Sequence, residues 1–466
     1  MPGYNNINSF ERRFHPAITI ISFSLPYILI RSLTNFIVSW LFYFFEAELN
    51  LSFFVMIFAF LGIGIINVLI QPILGYLSDR NYTFTRKFGR RFPWILISGF
   101  ITPIFVILLF SCSLIPGINL GLFLIITLII YYVTSSLYSI NYSASLLAKF
   151  HHPKERLIIS TIIEFFSFIL YFLSILFIPL IISLPSSSSF FVAAVIISIP
   201  FIINVVLGIP GLLEEKQLID TYYSPNLEPQ ESFFNDFFNR FTIFGQKNFI
   251  ILLIQWIALV IFNYLFFNQM IYYIVYVLGA SYEFTTLYTI IYFIMVILAI
   301  PFGFLISWFV GYIKTWIISG FILGASNFIF FFVRDLLISL PIIATVGFAI
   351  GLGTVALIPL AGDVFDENAF HQRKRSEGFN YGLLALFGSG IPLFMSSIIA
   401  MVYQITGFGT VWPPTVTELG ILGIRILFSF IPSIIIIIST ILFLILYDLK
   451  PEKTNSIQEE LKTLNI

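Results

Sequence analysis

The sequence has little charge. Only 10 % of its residues are Asp, Glu, Lys or Arg, where soluble domains carry about a quarter. A single cysteine, Cys112, lies in an apolar run and excludes an intrachain disulfide. The four histidines, His15, His151, His152 and His371, are peripheral and scattered, so no metal site is expected. No P-loop is present, which disfavours an ATP-driven protein, and no nucleophile–base set lies in the apolar runs, so neither an enzyme nor a cofactor is expected. The formal net charge is zero and gives no reason to expect nucleic acid as a partner.

What is present is apolar. Hydrophobic residues make up 59 % of the chain, and the mean hydropathy is +1.00. Runs of about eighteen or more apolar residues recur along the whole length, each long enough to cross roughly 30 Å of hydrocarbon at 1.5 Å per residue. A transmembrane barrel has alternating segments of about ten residues instead. The composition therefore specifies an all-α, polytopic membrane protein with the lipid bilayer as its main partner. The polar start, Met1 to Pro16 with Arg12 and Arg13, leads into apolar residues that run on too far for a cleaved signal peptide, and they read as a first span.

Twelve spans are expected, at 17–45, 51–78, 93–115, 119–149, 156–184, 189–213, 248–276, 283–310, 314–334, 337–362, 377–404 and 420–447. Lys and Arg sort to one side of these spans. Arg12, Arg13, the cluster in 80–91, Lys149, Lys154, Arg156, Lys216, Lys247, Lys314, Arg373, Lys374, Arg375, Lys450 and Lys453 share a face. The opposite loops hold Glu46, Glu48, Glu283, Glu418 and the serine run 186–189, with Arg334 their one cation. The positive-inside rule then places both termini in the cytoplasm and the protein in the cell membrane.

The chain turns polar between 214 and 247, around Glu214-Glu-Lys-Gln, Pro225, Pro229 and Glu231. This predicts an N-terminal six-helix bundle over 1–213, a cytoplasmic central loop over 214–247, and a C-terminal six-helix bundle with a short tail over 248–466. The halves echo each other. Leu146-Leu-Ala148 with Glu155-Arg156 follows span 4, and Leu360-Ala361-Gly362-Asp363 with Arg375 follows span 10. Gly303, Gly311 and Lys314 resemble a decayed copy of the basic hairpin after span 2. Parallel repeats of this kind place a substrate site between two halves.

That basic hairpin, Gly75-Tyr-Leu-Ser-Asp79-Arg80 followed by Arg86-Lys87-Phe-Gly89-Arg90-Arg91-Phe-Pro93-Trp94, is spelled like the loop between helices 2 and 3 of major facilitator transporters. Over nearly the full length the chain resembles the glycoside–pentoside–hexuronide:cation symporter family within that superfamily. Gln71-Pro72-Ile-Leu-Gly75-Tyr-Leu-Ser-Asp79-Arg80 with Gly89-Arg90-Arg91-Phe-Pro93 is similar to the sucrose transporter branch. Tyr142-Ser-Ala-Ser-Leu-Leu-Ala148 with Lys154-Glu155-Arg156 is similar to the family's span 4–5 hairpin. Ala361-Gly-Asp363-Val-Phe-Asp366 with Arg375-Ser-Glu377-Gly-Phe-Asn-Tyr381 is similar to its span 10–11 hairpin, and Arg425-Ile-Leu-Phe-Ser-Phe-Ile-Pro432 to its last span. The resemblance implies two six-helix bundles rocking around a midplane sugar site, a monomer as the working unit, and a cation as coupling ion.

Ionisable residues inside spans are rare because each costs about 2.5–3.5 kcal/mol at mid-bilayer on insertion scales. Two stand out. Arg31 is roughly 21 Å into span 1, and Glu164 is roughly 12 Å along span 5 from Arg156. In the family, span 1 supplies an acid and span 5 an arginine to the sugar, so the two charges fall here on exchanged positions. They are the first candidates for substrate binding, with Glu164 also the candidate proton site. A structural ion pair, or a Glu164–Lys154 pair, is the alternative.

The family's span 2 cation site, two acids one turn apart, reads Asn67 and Gln71 here. Its span 4 acid falls on Ser139 and its span 11 lysine on Ser389. The sucrose branch's span 4 aspartate is also missing, near Val133. Without carboxylates sodium coupling is doubtful, which leaves protons or passive flux. Asn67, Gln71, Asn141, Tyr142 and Tyr381 are further substrate candidates, with Asn35, Gln255, Trp256, Asn263 and Gln269 behind them. On the cytoplasmic face, Asp79, Arg80, Arg86, Arg90, Arg91, Asp363, Asp366 and Arg375 are candidates for a gate. Asp79 is expected beside helix N-termini of the other half, and Arg86, Arg90 and Arg91 opposite Asp363 and Asp366. The leading expectation is a secondary transporter of a sugar or glycoside. A carrier of organic anions and a non-transporting receptor are the competing readings.

Overall fold

The structure, a computed structural model, describes residues 14–115, 117–184, 188–221, 232–408 and 417–463. It is all-helical among these residues. The long helices are α1 (Ala17–Glu48), α2 (Phe53–Asp79), α3 (Phe92–Leu114), α4 (Leu120–Lys149), α5 (Pro153–Ile182) and α6 (Ser189–Leu212). They continue with α7 (Lys247–Val277), α8 (Phe284–Phe309), α9 (Tyr312–Ile329), α10 (Leu336–Gln372), α11 (Glu377–Thr406) and α12 (Glu418–Leu446). Eleven are long and apolar enough to cross a membrane, and α9, which carries Lys314 and Asn327, is the least apolar of the twelve. Helix is the form such segments must take, because hydrocarbon offers no partner for an open backbone N–H or C=O.

Start signals are local. Asn119 accepts from the Leu122 amide, Asp335 from Ile338 and Thr417 from Gly420, each satisfying an orphan donor of a first turn. α1 is broken at Leu29, between Ala17–Ile28 and Ile30–Tyr43. Pro26 lacks the N–H that would bond the Ser22 carbonyl, and the Tyr138 hydroxyl binds the Pro26 carbonyl at 2.5 Å. The break sets Arg31 at the start of the second segment.

Within the first six helices, α1 packs on α5 and α6, and α4 on α2 and α3. Within the last six, α8 and α9 pack on α10, and α7 and α9 on α12. Across the two sets α2 runs along α11, α5 meets α8 and the end of α10, and α4 meets α11. The crossing of α2 on α11 is close. A Cβ on Gly75 would collide with the Gly378 carbonyl, and one on Gly382 would press on the Gln71 carbonyl at 2.7 Å. Small residues let these backbones touch.

The polar stretch 214–247 is more than a loop. It contains the helix Lys216–Thr221, the linker helix Phe233–Asn239 and a 3-10 turn over Arg240–Gly245. Its aromatic residues, invisible as a helix signal amid the prolines, supply the fold. Phe233 and Phe237, one turn apart, both pack on Tyr76 of α2. Beyond α12, a terminal helix α13 (Pro451–Thr463) buries Thr454, Ile457, Gln458 and Leu461 at helical spacing against the end of α10. Gln458 donates to the His151 carbonyl at 3.1 Å and so reaches the α4–α5 connection.

Candidate functional site

Arg31 and Glu164 meet. Nη1 donates to Oε2 at 2.8 Å and Nη2 to Oε1 at 3.0 Å, a fork on a carboxylate. One turn further along α5 the Phe168 ring lies under the guanidinium, 4.7 Å from centroid to carbon. The Arg31 side chain remains 38 % exposed while Glu164 is 11 % exposed. The pair is therefore made but open on one side. Lys154, the alternative partner, sits instead over the Trp308 ring of α8 at 4.4 Å. One turn beyond Arg31, Asn35 accepts from the Tyr171 hydroxyl at 3.1 Å, so α1 and α5 are joined twice. Tyr171 and Phe172 pack against Phe293 of α8, with rings 5.0 and 5.8 Å apart. Phe168 and Tyr171 carried no signal in the sequence: with aromatics at 18 % of the chain, nothing marks these two out.

Gln71 and Asn67 fall one turn apart on α2. Gln71 donates to Ser389 of α11 at 2.7 Å, and Asn67 accepts from Ser136 of α4 at 3.1 Å. Asn67, Gln71, Ser136 and Ser389 thus form two neutral hydrogen-bonded pairs. Tyr142, expected near substrate, is buried and donates to the Phe23 carbonyl at 2.7 Å, with Tyr27 stacked on its ring at 4.5 Å. It fastens α4 to the first segment of α1. Asn141 is buried too, and its amide donates to Leu137 while its oxygen lies 3.5 Å from Arg91, which ties it to the basic hairpin rather than to Arg31. Tyr381 packs edge-on against Phe365. Trp256 donates to the Leu384 carbonyl, Gln255 accepts from Trp316 and Gln269 from Tyr403.

The second constellation lies at the face that carries the basic hairpin, called here the basic face. Asp79 is fully buried and caps α11, as expected from its place in the hairpin. Oδ1 accepts from the Gly378 amide at 3.1 Å and Oδ2 from the Phe379 amide at 2.9 Å. Both belong to the first turn, where a carboxylate meets the positive end of the helix dipole. Arg91 pairs with Asp79 from the same half. Arg90 and Arg91 approach Glu377 at 3.6 and 3.7 Å, and their amides donate to Glu214, which caps α3. Arg90 and Arg91 therefore do not take Asp363 and Asp366, the partners expected from charge alone. Asp366 is held by Arg156 at 2.9 Å and Arg375 at 3.3 Å, and Arg375 also reaches Glu377 at 3.0 Å. Arg156 arrives because Gly362 leaves room: a Cβ there would sit in its guanidinium. Asp363, one turn before Asp366, takes only the Tyr312 hydroxyl, at 2.5 Å, and its other oxygen has no hydrogen-bond partner among the described residues. Arg80 lies over Tyr76 and Phe233, and Arg86 is exposed on the hairpin.

Two groups beside this face show what the field does. Burial opposes ionisation of Asp236 on the linker helix, but Arg240 at 3.4 Å and Lys374 at 2.9 Å hold its carboxyl below the usual carboxylate range. His15 precedes α1. Its hydrogen bond to Glu155 raises it above the usual histidine value against the opposing effect of burial, and Glu215 adds to the rise. Among the described residues no group of three or more His, Cys, Asp or Glu could hold a metal ion.

Spanning helices, a half-open ion pair between α1 and α5, and a charged cluster where α2 meets α11 and α5 meets α10 define a multi-pass transporter of major facilitator fold. The chain belongs to the MFS/sugar transport protein family, whose model matches residues 22–450. That membership makes the protein a membrane transporter and not an enzyme. Similar solved structures share the fold at low identity. The proton:xylose symporter XylE, bound to 6-bromo-6-deoxy-D-glucose, is 14 % identical over 95 % of this chain and 98 % of its own, with a TM-score of 0.65. The transporter FucP in its outward conformation is 12 % identical over 93 % of this chain and 99 % of its own, with a TM-score of 0.65. A bacterial homologue of the iron transporter ferroportin, in an outward-facing state, is 13 % identical over 91 % and 98 %, with a TM-score of 0.62. No curated protein sequence matches the chain.

Proposed function

We propose that this protein carries a neutral sugar or glycoside across the membrane by alternating access, with Arg31 and Glu164 as the binding pair. The carrying observation is the half-open Arg31–Glu164 fork with Phe168 beside it. A guanidinium and a carboxylate side by side present donors and acceptors at the spacing of adjacent hydroxyls. The Phe168 ring supplies a surface for the apolar side of a sugar ring. Because Glu164 already neutralises Arg31, the site favours an uncharged polyol over an organic anion.

The two halves are the bundles 1–213 and 248–466, joined through 214–247, and the basic face is the cytoplasmic one. The motifs quoted above support the glycoside–pentoside–hexuronide branch, sucrose transporters included. Asn67, Gln71 and Ser389 are neutral where that family has charge and sit in the pairs Asn67–Ser136 and Gln71–Ser389, which supports proton coupling over sodium. Glu164 is the proton-site candidate in this reading, because substrate entering the fork would part it from Arg31.

The test is counterflow of labelled sucrose, maltose, melibiose and glucuronate in proteoliposomes, which assumes no coupling ion. Exchange of a neutral sugar that is lost in Arg31→Ala carries the reading. Exchange of glucuronate alone, or of none of the four, overturns it. In Glu164→Gln, exchange should persist while proton-driven accumulation stops, and accumulation that continues removes Glu164 as proton site. Replacing sodium by choline should leave the rate unchanged.

A further inference from the structure

The stretch between α6 and α7 looks in sequence like a hydrophilic connector, yet the structure brings one of its charges to a buried acid of the basic face. Arg240 Nη1 lies 2.7 Å from Asp79 Oδ2, with both side chains almost wholly buried. The carboxylate that caps α11 thus holds two guanidiniums, Arg91 from its own half and Arg240 from the linker. The guanidinium of Arg240 also covers the Tyr76 ring at 4.8 Å, and the Tyr76 hydroxyl donates to the Phe233 carbonyl at 3.1 Å. These contacts all run to α2.

A second set of contacts runs from the linker to the other half. Phe237 and Phe241 pack edge-on against Phe379 in the first turn of α11, with rings 5.8 and 5.1 Å apart. Asp236 pairs with Lys374, and Thr242 accepts from Gln372, at 2.9 and 3.1 Å, both on the α10–α11 connection. Only Gln246 separates the 3-10 turn from α7. The linker is therefore fixed to the second half by chain and by side chains. Its hold on the first half is Arg240, with the Phe233 and Phe237 contacts to Tyr76 beside it.

We propose that Arg240 is a gating residue, and that the linker is a bolt across the basic face that must withdraw Arg240 from Asp79 before α2 and α11 can part. The inference rests on the alternating-access reading for what the gate serves, but its test needs no substrate. Opening frees the Gly378 and Phe379 amides from Asp79. Their hydrogen exchange, read by mass spectrometry on the full chain in lipid nanodiscs, therefore reports the open fraction. A buried hydrogen bond to a charged group is the interaction removed, so Arg240→Ala should speed exchange at the start of α11 by about tenfold or more. Arg240→Lys, which keeps the charge but not the fork, should restore part of the protection. Asp79→Asn should speed exchange as well, and adding Arg240→Ala to it should change little further.

Exchange in Arg240→Ala within about twofold of wild type, while Asp79→Asn accelerates it, overturns the proposal. Equal acceleration throughout α3 and α4 overturns it too, since that reports general unfolding and not a gate. If Arg240→Ala does not yield folded protein, Arg240→Lys and Asp236→Asn carry the same comparison. Should no sugar exchange in liposomes while helix-11 exchange responds as stated, the sugar reading fails and the bolt stands.

Discussion

Arg31 and Glu164 are 133 positions apart in sequence and share two hydrogen bonds in parallel, one from each terminal nitrogen of the guanidinium. Neither charge alone belongs inside an apolar helix. Together they are a compensated pair with one side open, which is what a site for a neutral polar substrate requires.

Removing either partner should weaken substrate binding more than it weakens the fold. Arg31 is 38 % exposed, so solvent screening holds the loss on breaking the pair to about 1–2 kcal/mol, or roughly five- to thirtyfold in affinity. Arg31→Lys should not rescue it, because an ammonium cannot present the fork. The exchanged pair Arg31→Glu with Glu164→Arg should recover binding above either single reversal. Ligand-induced thermal shift across the four variants measures this.

Gly75 should tolerate no side chain. A methyl there meets the Gly378 carbonyl, so Gly75→Ala holds α2 off α11 and Asp79 off its amides. Transport should fall by about an order of magnitude, with substrate binding near wild type. Rates and affinities in the same liposome preparation distinguish this from a loss of the binding pair.

Asp363 and Asp366 should respond oppositely to the same change. Asp366→Asn leaves Arg156 without a carboxylate and Arg375 with Glu377 alone, a loss of about 3–5 kcal/mol for a buried pair. Asp363→Asn keeps an acceptor for Tyr312 and removes a buried charge that no cation pairs with among the described residues. Its effect should lie within about 1 kcal/mol of zero or be stabilising. Thermal melting of the two purified variants beside wild type checks the contrast.

Docking of the segment before α1 should weaken as pH rises. The hydrogen bond to Glu155 raises His15 above its ordinary value of 6.5. A group raised in the folded state adds stability that is complete below that ordinary value and is lost as pH climbs through the folded value. Glu155 on α5 and Glu215 on the linker face the ring as acids, and Lys149 on α4 is the nearby cation that lowers it. Exchange of the His15 amide, which donates to Glu155 at 2.6 Å, should quicken as pH climbs above 6.5 by more than the intrinsic base-catalysed rate, and this excess should vanish in His15→Gln.

The sequence by itself determined the class, the spans and the face that holds the cations. Those depend on properties summed along the chain: about twenty apolar residues make a span wherever they sit, and charge settles on one side of it. Most span ends fall within a few residues of the helices, as with 119–149 against Leu120–Lys149 and 189–213 against Ser189–Leu212, but α10 runs on to Gln372, well past the expected end at 362. Asp79 as a helix cap was legible as well, because a carboxylate in that hairpin has helix starts to meet. Pairing was another matter. Charge alone offered Arg90 and Arg91 the acids Asp363 and Asp366, but those acids face Tyr312 and Arg156, because Gly362 admits Arg156 and the α2–α11 contact draws Arg91 back to Asp79. Tyr142 has the composition of a sugar-site residue and spends its hydroxyl on the Phe23 carbonyl of α1. Arg240 stood in a polar connector with nothing to mark it. Which of several equivalent charges meet is a matter of where helices cross, and crossings are set by packing between segments hundreds of residues apart, a relation that no local pattern in the chain contains.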